Sequence, residues 1–549
     1  MSALSLLLIA VLAAQERSQS GLEIEAVRPM IAQPYRAQKA VIASVHELAT
    51  DAGLQILKDG GNAIDAAVAV AFVLAVVHPE AGNLGGSGFL LASLRDGKAM
   101  AIDYGGVSPA ATKPGIFLNS REANVGYKSV AIPGTPAGMG MLHAKLGKLP
   151  WKRCLEPARK LAKNGFAASL RMELILKLQV PVMKAYPDSA RIFLHGSTVP
   201  LRQGEKVVQP ELADTIARLQ KHGWREFYEG ETARRIAADM AAHGGLITEQ
   251  DLKSYHAALV DPLETVYRGH RILTMPHSSS GGVVLLAALN TIENFSLAPG
   301  EEGSTRVRHL QAEALQLALK TRRQVQDDES LPVTEAVSKT FSKTLAALIT
   351  MDHALPQDPP RQGPRESPDT THFTVVDAEG NMVSNTYTLS GFYGSQVVAK
   401  GTGVLLNNHM SVFAGYPKTM KPGLRYLSAM APTLVFRADG TPWLALGTPG
   451  GMTIPSTIFQ VISNVIDFRM SLRDAIEYPR IHFDQTQQRI DAEPGALVLD
   501  VADRLKAMGH RLNPKLRSQG DVNAILIEEG SGWRVGWSDG RRGGAIKGF

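Results

Sequence analysis

At 549 residues the chain exceeds one ordinary domain and has the length of roughly two to four. Hydrophobic content of 44%, charged content of 20% and 51 glycines describe a globular protein rich in turns. A net charge of +6, interspersed and without a Lys/Arg block, gives nucleic-acid binding no footing, and "KTRRQ" (320–324) reads as a solvated helix face. Cys154 is the only cysteine, which excludes an intrachain disulfide and a Cys-based metal site, and within "WKRCLEPARKLA" it reads as a buried, inert thiol. The histidines are scattered without HExxH or HxH spacing, so no metal site is expected.

In chain order, "MSALSLLLIAVLAA" (1–14) is an apolar run of signal-peptide length without a preceding Lys or Arg. It reads as an export signal, giving a periplasmic or secreted protein, or else as a poorly ordered N-terminus on a cytoplasmic one. Neither it nor Ala66–Val77 is long enough to span a bilayer, and no stable membrane anchor is expected. Leu48, Ala52 and Ile56 mark one face of a helix that closes at Gly60-Gly61, and Asn62 caps a second, apolar almost all round, from Ala63 to about Val77. "HPEAGNLGGSGFLL" runs from a glycine-rich turn into a strand at Phe89–Leu94, with a hairpin at Asp96-Gly97 and a return strand through Ile102. Residues 150–260 are mainly helical. "RGHRILTMPHSSSGGVVLLAALNTIENF" gives a strand, a Ser/Gly turn and a buried helix, and another helix covers Ser304 to Val325.

Residues 350–369 carry five prolines and little apolar pattern, the composition of a linker or mobile loop. Three strand pairs then follow around Gly-containing turns, in "HFTVVDAEGNMVSNTYTL", "PTLVFRADGTPWLALGT" and "NAILIEEGSGWRVGWSD", with a helix in "TIPSTIFQVISNVIDF". The whole predicts an α+β layered fold with antiparallel sheet. "GNLGGSG" lacks the Lys-Ser/Thr of a P-loop and leads into a strand, while "SSSGG" precedes a helix and either binds an anion or simply turns the chain. No GxSxG elbow occurs.

The switch from linker to strand at Asp369-Thr370 is a domain boundary or a cleavage site. A Thr hydroxyl is a weak nucleophile until a base takes its proton, and an N-terminal Thr carries that base as its own amine. A precursor reaches this state only by cutting the bond before the Thr, which the hydroxyl can do by attacking the preceding carbonyl.

"TTHFTVVDAEGNMVSNTYTL", "GTGVLLNNHM", "LSAMAPTLVF" and "LGTPGG" resemble, in order, the small-subunit motifs of the gamma-glutamyltransferase family. "GGNAIDAAVAVAFVLAVVHPEAGNLGGSGFLL" and "MPHSSSGG" are similar to its large-subunit hallmarks, and the resemblance runs from about Ala40 to "SDGRRGGAIKGF". It implies a four-layer αββα N-terminal-nucleophile hydrolase, with residues 15–369 as large subunit and 370–549 as small subunit of one composite domain. The catalytic residues implied are Thr370 as nucleophile, Thr388 as the second threonine that assists it, and Gly450 and Gly451 as oxyanion-hole amides. No cofactor is implied. The substrate would be a γ-glutamyl or other amide, and the acceptor water, an amine or a peptide.

The substrate pocket departs from the family. Gly105 stands where the Arg of "DFRE" holds the α-carboxylate, and Val412 where an acidic residue pairs with the α-ammonium. His409 replaces a Gln, Ser390 an Asn and Ala429 one of two serines, of which Ser428 remains. Losing both charged partners is enough to redirect specificity. The chain therefore reads as a glutathione-hydrolase-like transferase, or as an acylase for a non-glutamyl amide (cephalosporin-acylase-like or oxamate-like), with an uncleaved, non-catalytic binding protein as a lesser alternative.

Overall fold

Two helices follow the first two strands of the described chain. Helix α1 (Glu47–Lys58) is capped by His46, whose Nδ1 accepts from the Leu48 amide. Asn62 caps α2 (Ala63–Val77) in a reciprocal capping box with Asp65, and every residue of α2 is buried. Both match the spacing read from sequence to within a residue. The computed structural model describes residues 33–277, 279–360, 369–415 and 420–549, so the expected export signal at 1–14 lies outside the described residues.

Two seven-stranded sheets carry the fold, and every pairing within them is antiparallel. Their strands are β1 (Tyr35–Ala37), β2 (Val41–Ser44), β3 (Ser87–Ser93), β4 (Ala99–Tyr104), β5 (Ala258–Val260), β6 (Leu263–Tyr267) and β7 (His270–Thr274), then β8 (Asp369–Val376), β9 (Met382–Ser390), β10 (Thr433–Phe436), β11 (Pro442–Gly447), β12 (Asn523–Ile527), β13 (Arg534–Ser538) and β14 (Ala545–Gly548). One sheet runs β1-β13-β12-β11-β10-β7-β6 and the other β14-β2-β8-β9-β3-β4-β5. The three late hairpins read from sequence are β8–β9, β10–β11 and β12–β13. The second sheet interleaves strands from both sides of the Asp369-Thr370 bond, with β2 between β14 and β8.

Side-chain alternation explains the layering. Ile42, Leu90, Ile102, Phe373 and Val375 share one core with α1 and α2. Val41, Ala43, Phe89, Leu91 and Val376 share the other with β10–β12 and with helices α3 (Ser280–Ile292), α4 (Thr305–Gln326) and α5 (Thr453–Ile466). The order is helices, sheet, sheet, helices, as expected. Residues 151–253 form a largely helical block, including Trp151–Asn164, Leu170–Met183, Pro210–His222 and Glu231–Ala242. Tyr35–Phe549 clusters as one unit, so the several domains that length allows are not what the chain forms. No described helix is long and apolar enough to cross a membrane.

Two local expectations need correction. Arg322 of the "KTRRQ" cluster is buried rather than solvated, and its Nε donates to Ser280 Oγ at 2.8 Å. The proline-rich stretch is no free linker over residues 350–358. Ala354 N donates to Met508 O at 2.7 Å, Gln316 Nε2 to Pro356 O at 3.0 Å and Asp358 N to Gln488 Oε1 at 3.1 Å. Polar partners on α4 and beyond hold it where apolar burial could not. Cys154 is fully buried, and burial together with neighbouring Asp65 pushes its thiol pKa up, as an inert thiol requires.

Candidate active site

β8 begins at Asp369, so the residue before the junction is itself buried strand rather than exposed loop. The irregularity is finer: the β8–β9 register shifts between Asp369 and Thr370. Thr370 pairs with Thr388 across the ladder, and Asp369 with Ser390. Thr374 Oγ1 donates to Asn523 O at 2.8 Å and Ser384 Oγ to Leu446 O at 2.9 Å, both on the facing sheet. By alternation, Thr370 and Thr388 face the same inter-sheet space.

Thr388 Oγ1 accepts the Ser390 amide at 2.9 Å and donates to the Asp369 carbonyl at 2.7 Å. The hydroxyl proton is thereby aimed at the carbonyl that Thr370 would attack. Ser390 adopts a left-handed backbone (φ +79°), followed by Tyr393 at +56° and Gln396 at +68°. Such non-glycine conformations cost about 1–3 kcal/mol each and persist where the surroundings impose them. Here they fold the chain back so that the Phe392 amide donates to Asp369 Oδ2 at 3.1 Å.

β11 brings the glycine pair. Gly447 packs against the His372 ring, where an added Cβ would stand 2.3 Å from Cε1. The order Leu446 beside Ser384 and Gly447 beside His372 runs toward the Thr370 end of β8, and Thr448–Gly451 continue that way. Gly450 has φ +141° and Gly451 +58°, conformations that favour glycine. Among the described residues neither amide donates to a protein acceptor.

His372, absent from the sequence reading, locks this region. Thr374 spends its proton on Asn523 O, so it accepts from His372 Nε2 at 3.0 Å and Nδ1 accepts from Thr386 at 2.8 Å. Burial lowers its pKa to about 3, keeping the ring neutral. Asp521 lies beside the glycine loop, its amide on Thr448 Oγ1 at 2.6 Å, and burial, then Asp539, raises its carboxyl to about 7. No spacing in the sequence marks either residue.

Of the substrate-side residues, His409 lies with the Gly105-Gly106 pair and with Val412 of its own helix. His409 is fully buried, its Nδ1 3.2 Å from Ser87 Oγ and its ring against Tyr426 at 4.2 Å. Burial lowers its pKa to about 3, and among the described residues Nε2 has no hydrogen-bond partner. Gly106 abuts it, since a Cβ there would stand 2.8 Å from Nδ1. The Gly105 amide donates to Asp103 Oδ1 at 2.8 Å, and Arg425 Nη1 lies 3.6 Å from that same oxygen. Val412 is buried in the short helix Met410–Ala414, which His409 opens. Ser428 Oγ accepts the Met430 amide at 3.0 Å, and its carbonyl takes Ser280 N at 2.8 Å. Ser279 and Ser280 of "SSSGG" thus clamp the Ser428 backbone, which favours the turning role over the anion site.

The sequence profile described as Gamma-glutamyltranspeptidase matches residues 49–549. The chain belongs to that family. It is 35% identical to the glutathione hydrolase proenzyme of Escherichia coli K12, over 90% of this chain and 89% of that one. It is 34% identical to acylase ACY 1 proenzyme of Pseudomonas sp. strain V22, over 90% and 91%. Cephalosporin acylase from Bacillus halodurans superposes with a TM-score of 0.85 at 27% identity, covering 95% of this chain and 98% of that one. Helicobacter pylori gamma-glutamyltranspeptidase gives 0.55 at 36% identity, over 57% and 92%. As a gamma-glutamyltranspeptidase-family member the chain is an N-terminal-nucleophile hydrolase acting on amide bonds.

Proposed function

We propose that the chain cuts itself between Asp369 and Thr370 and then works as a threonine amidohydrolase and acyltransferase. The observation that carries this is the Thr388 hydroxyl on the Asp369 carbonyl, directly across the ladder from Thr370. Thr370 Oγ attacks that carbonyl, the Asp369–Thr370 C–N bond breaks, and an ester forms while the Thr370 amine takes the proton. Water then hydrolyses the ester, leaving the Asp369 carboxylate and a free amino-terminal Thr370. In the mature enzyme this amine is the base that activates Oγ against a substrate amide. The acyl group passes to Thr370, the leaving amine takes the proton, and water or an acceptor amine removes the acyl group. Gly450 and Gly451 amides hold the oxyanion, and amides without a ground-state acceptor suit that role. A mass spectrum of purified protein tests it: wild type yields the fragment Thr370–Phe549, and Thr370→Ala only the intact chain. An intact wild-type chain would favour the binding-protein alternative.

For the acyl group, we infer a donor less zwitterionic than γ-glutamyl, resembling the substrates of acylase relatives. Gly105 supplies no cation, Val412 no anion, and His409 is neutral. The double variant Gly105→Arg, Val412→Asp should then raise γ-glutamyl amide turnover by tenfold or more, and no gain counts against the reading. Ser390, His409 and Ser428 would line the pocket. Arg425 beside Gly105 favours the second reading, in which γ-glutamyl donors such as glutathione are retained; release of amine from a γ-glutamyl amide, lost in Arg425→Ala, would support it. The apolar N-terminal run supports export to the periplasm or medium.

A further inference from the structure

Helix α4 places His309 and Glu313 one turn apart, and His510 reaches them from a loop two hundred residues on. All three are buried, and one ligand atom from each lies within 4.8 Å of the others. His309 Nδ1 is 2.8 Å from His510 Nε2, which is 3.5 Å from Glu313 Oε1. The other His309 nitrogen, Nε2, donates to Thr350 O at 2.7 Å, so Nδ1 presents a lone pair to the cluster. Glu313 Oε2 has no hydrogen-bond partner among the described residues, and neither has His510 Nδ1, which lies on the far side of its ring from the cluster. Buried polar atoms of this kind are costly unless something completes their surroundings. The other such grouping, Asp65, His143 and Cys154, differs: Asp65 already takes the Asn62, Lys148 and Leu149 amides, and His143 bonds Leu149 O.

We propose that His309, Glu313 and His510 bind a divalent transition metal of the zinc type, which staples the two products of the Asp369-Thr370 cut. Two imidazoles and a carboxylate are a zinc donor set with a position left for water. A ligating histidine whose second nitrogen donates to a backbone carbonyl is the usual outer support, and His309 has it through Thr350. The alternative occupant is a proton shared between the two rings. A cation answers the chemistry better, because it draws on all three residues at once.

His309 and Glu313 precede the junction and His510 follows it. The site also grips the stretch leading to the junction, since Leu355 N donates to Glu313 Oε1 at 3.2 Å and Ala354 N to Met508 O. The metal site stands independently of self-cleavage, whereas the staple rests on it.

Full-length protein, stripped with a chelator, is titrated with Co2+ and then Zn2+. About one equivalent of Co2+ with visible bands of low coordination, displaced by Zn2+, is expected for wild type and for uncut Thr370→Ala alike. His510→Gln and Glu313→Gln should lose it. No stoichiometric uptake, or uptake surviving in both variants, overturns the site. Should the variants fail to fold, X-ray absorption on zinc-loaded wild type must show two imidazoles, and their absence is equally decisive. For the staple, zinc should raise the concentration of denaturant needed to part the fragments. Binding without that shift refutes the staple and leaves the site, and binding to an uncut wild-type chain separates this result from failure of the proposed cleavage.

Discussion

Thr388 has one proton, and its partners fix where it goes: the Ser390 amide fills one side of the oxygen and the Asp369 carbonyl takes the hydrogen. Thr388→Ala should therefore slow appearance of the cut chain by about 100-fold, the usual effect of removing one oxyanion donor, while Thr388→Ser retains most of the rate. Half-times on denaturing gels measure this. His409 makes a second residue-level prediction. Its pKa falls from 6.5 to about 3 on folding, so its contribution to stability is full above pH 6.5 and lost as pH falls toward 3. Glu313 and Asp521, raised to about 7 by burial, act oppositely, losing their contribution as pH rises toward 7. The comparison must be with the parent: His409→Gln should flatten the acid slope of unfolding free energy by up to about 1.4 kcal/mol per pH unit. An unchanged slope would mean that the ring is charged or that the site is already open.

Among elements, α3 meets the Ser428-Ala429 segment backbone to backbone. A Cβ on Gly281 would stand 2.0 Å from Ala429 O, so Gly281→Ala must push that segment away. The expected cost is about 1–3 kcal/mol, read from a denaturation midpoint, with KM rising more than kcat falls because Ser428 shifts. The hairpins and α2 were legible in the sequence because β-branched runs around glycine turns, and an Asn cap before a continuous apolar run, are local signals. The start of a strand at the junction was legible through the change of character there, while the role proposed for Thr370 rests on motifs that resemble a family. What pairs across distance was not. The contact of Thr388 with the Asp369 carbonyl depends on a register shift, and Arg322 looks solvated until Ser280 arrives. His309 and Glu313 show helical spacing, but nothing near them announces His510.

At the scale of the molecule, the proposed cut would not divide the chain. β2 and β3 come from before the junction, yet they flank β8 and β9 from after it, and β14 closes the far side of β2. The β2–β8 and β9–β3 boundaries are backbone ladders with buried side chains on both faces, and β14 is half-buried. After cleavage the fragments should travel as one particle in size exclusion and native mass spectrometry, parting only in denaturant. Separation in native buffer would contradict the sheet order.

The Asp369 contacts also describe an imprint. Under the proposed cut, the Asp369 acyl group lies where a later acyl group would lie, its carbonyl on Thr388 and its carboxylate on the Phe392 amide. Once that residue departs, both donors lose their acceptor together and face the same vacated space. On the proposed mechanism, the enzyme's first acyl donor would be its own backbone, which would leave behind a mould. With Gly105 and Val412 uncharged, the chain would thus inherit from its own precursor one backbone amide placed to meet an anionic group near the reacting carbonyl.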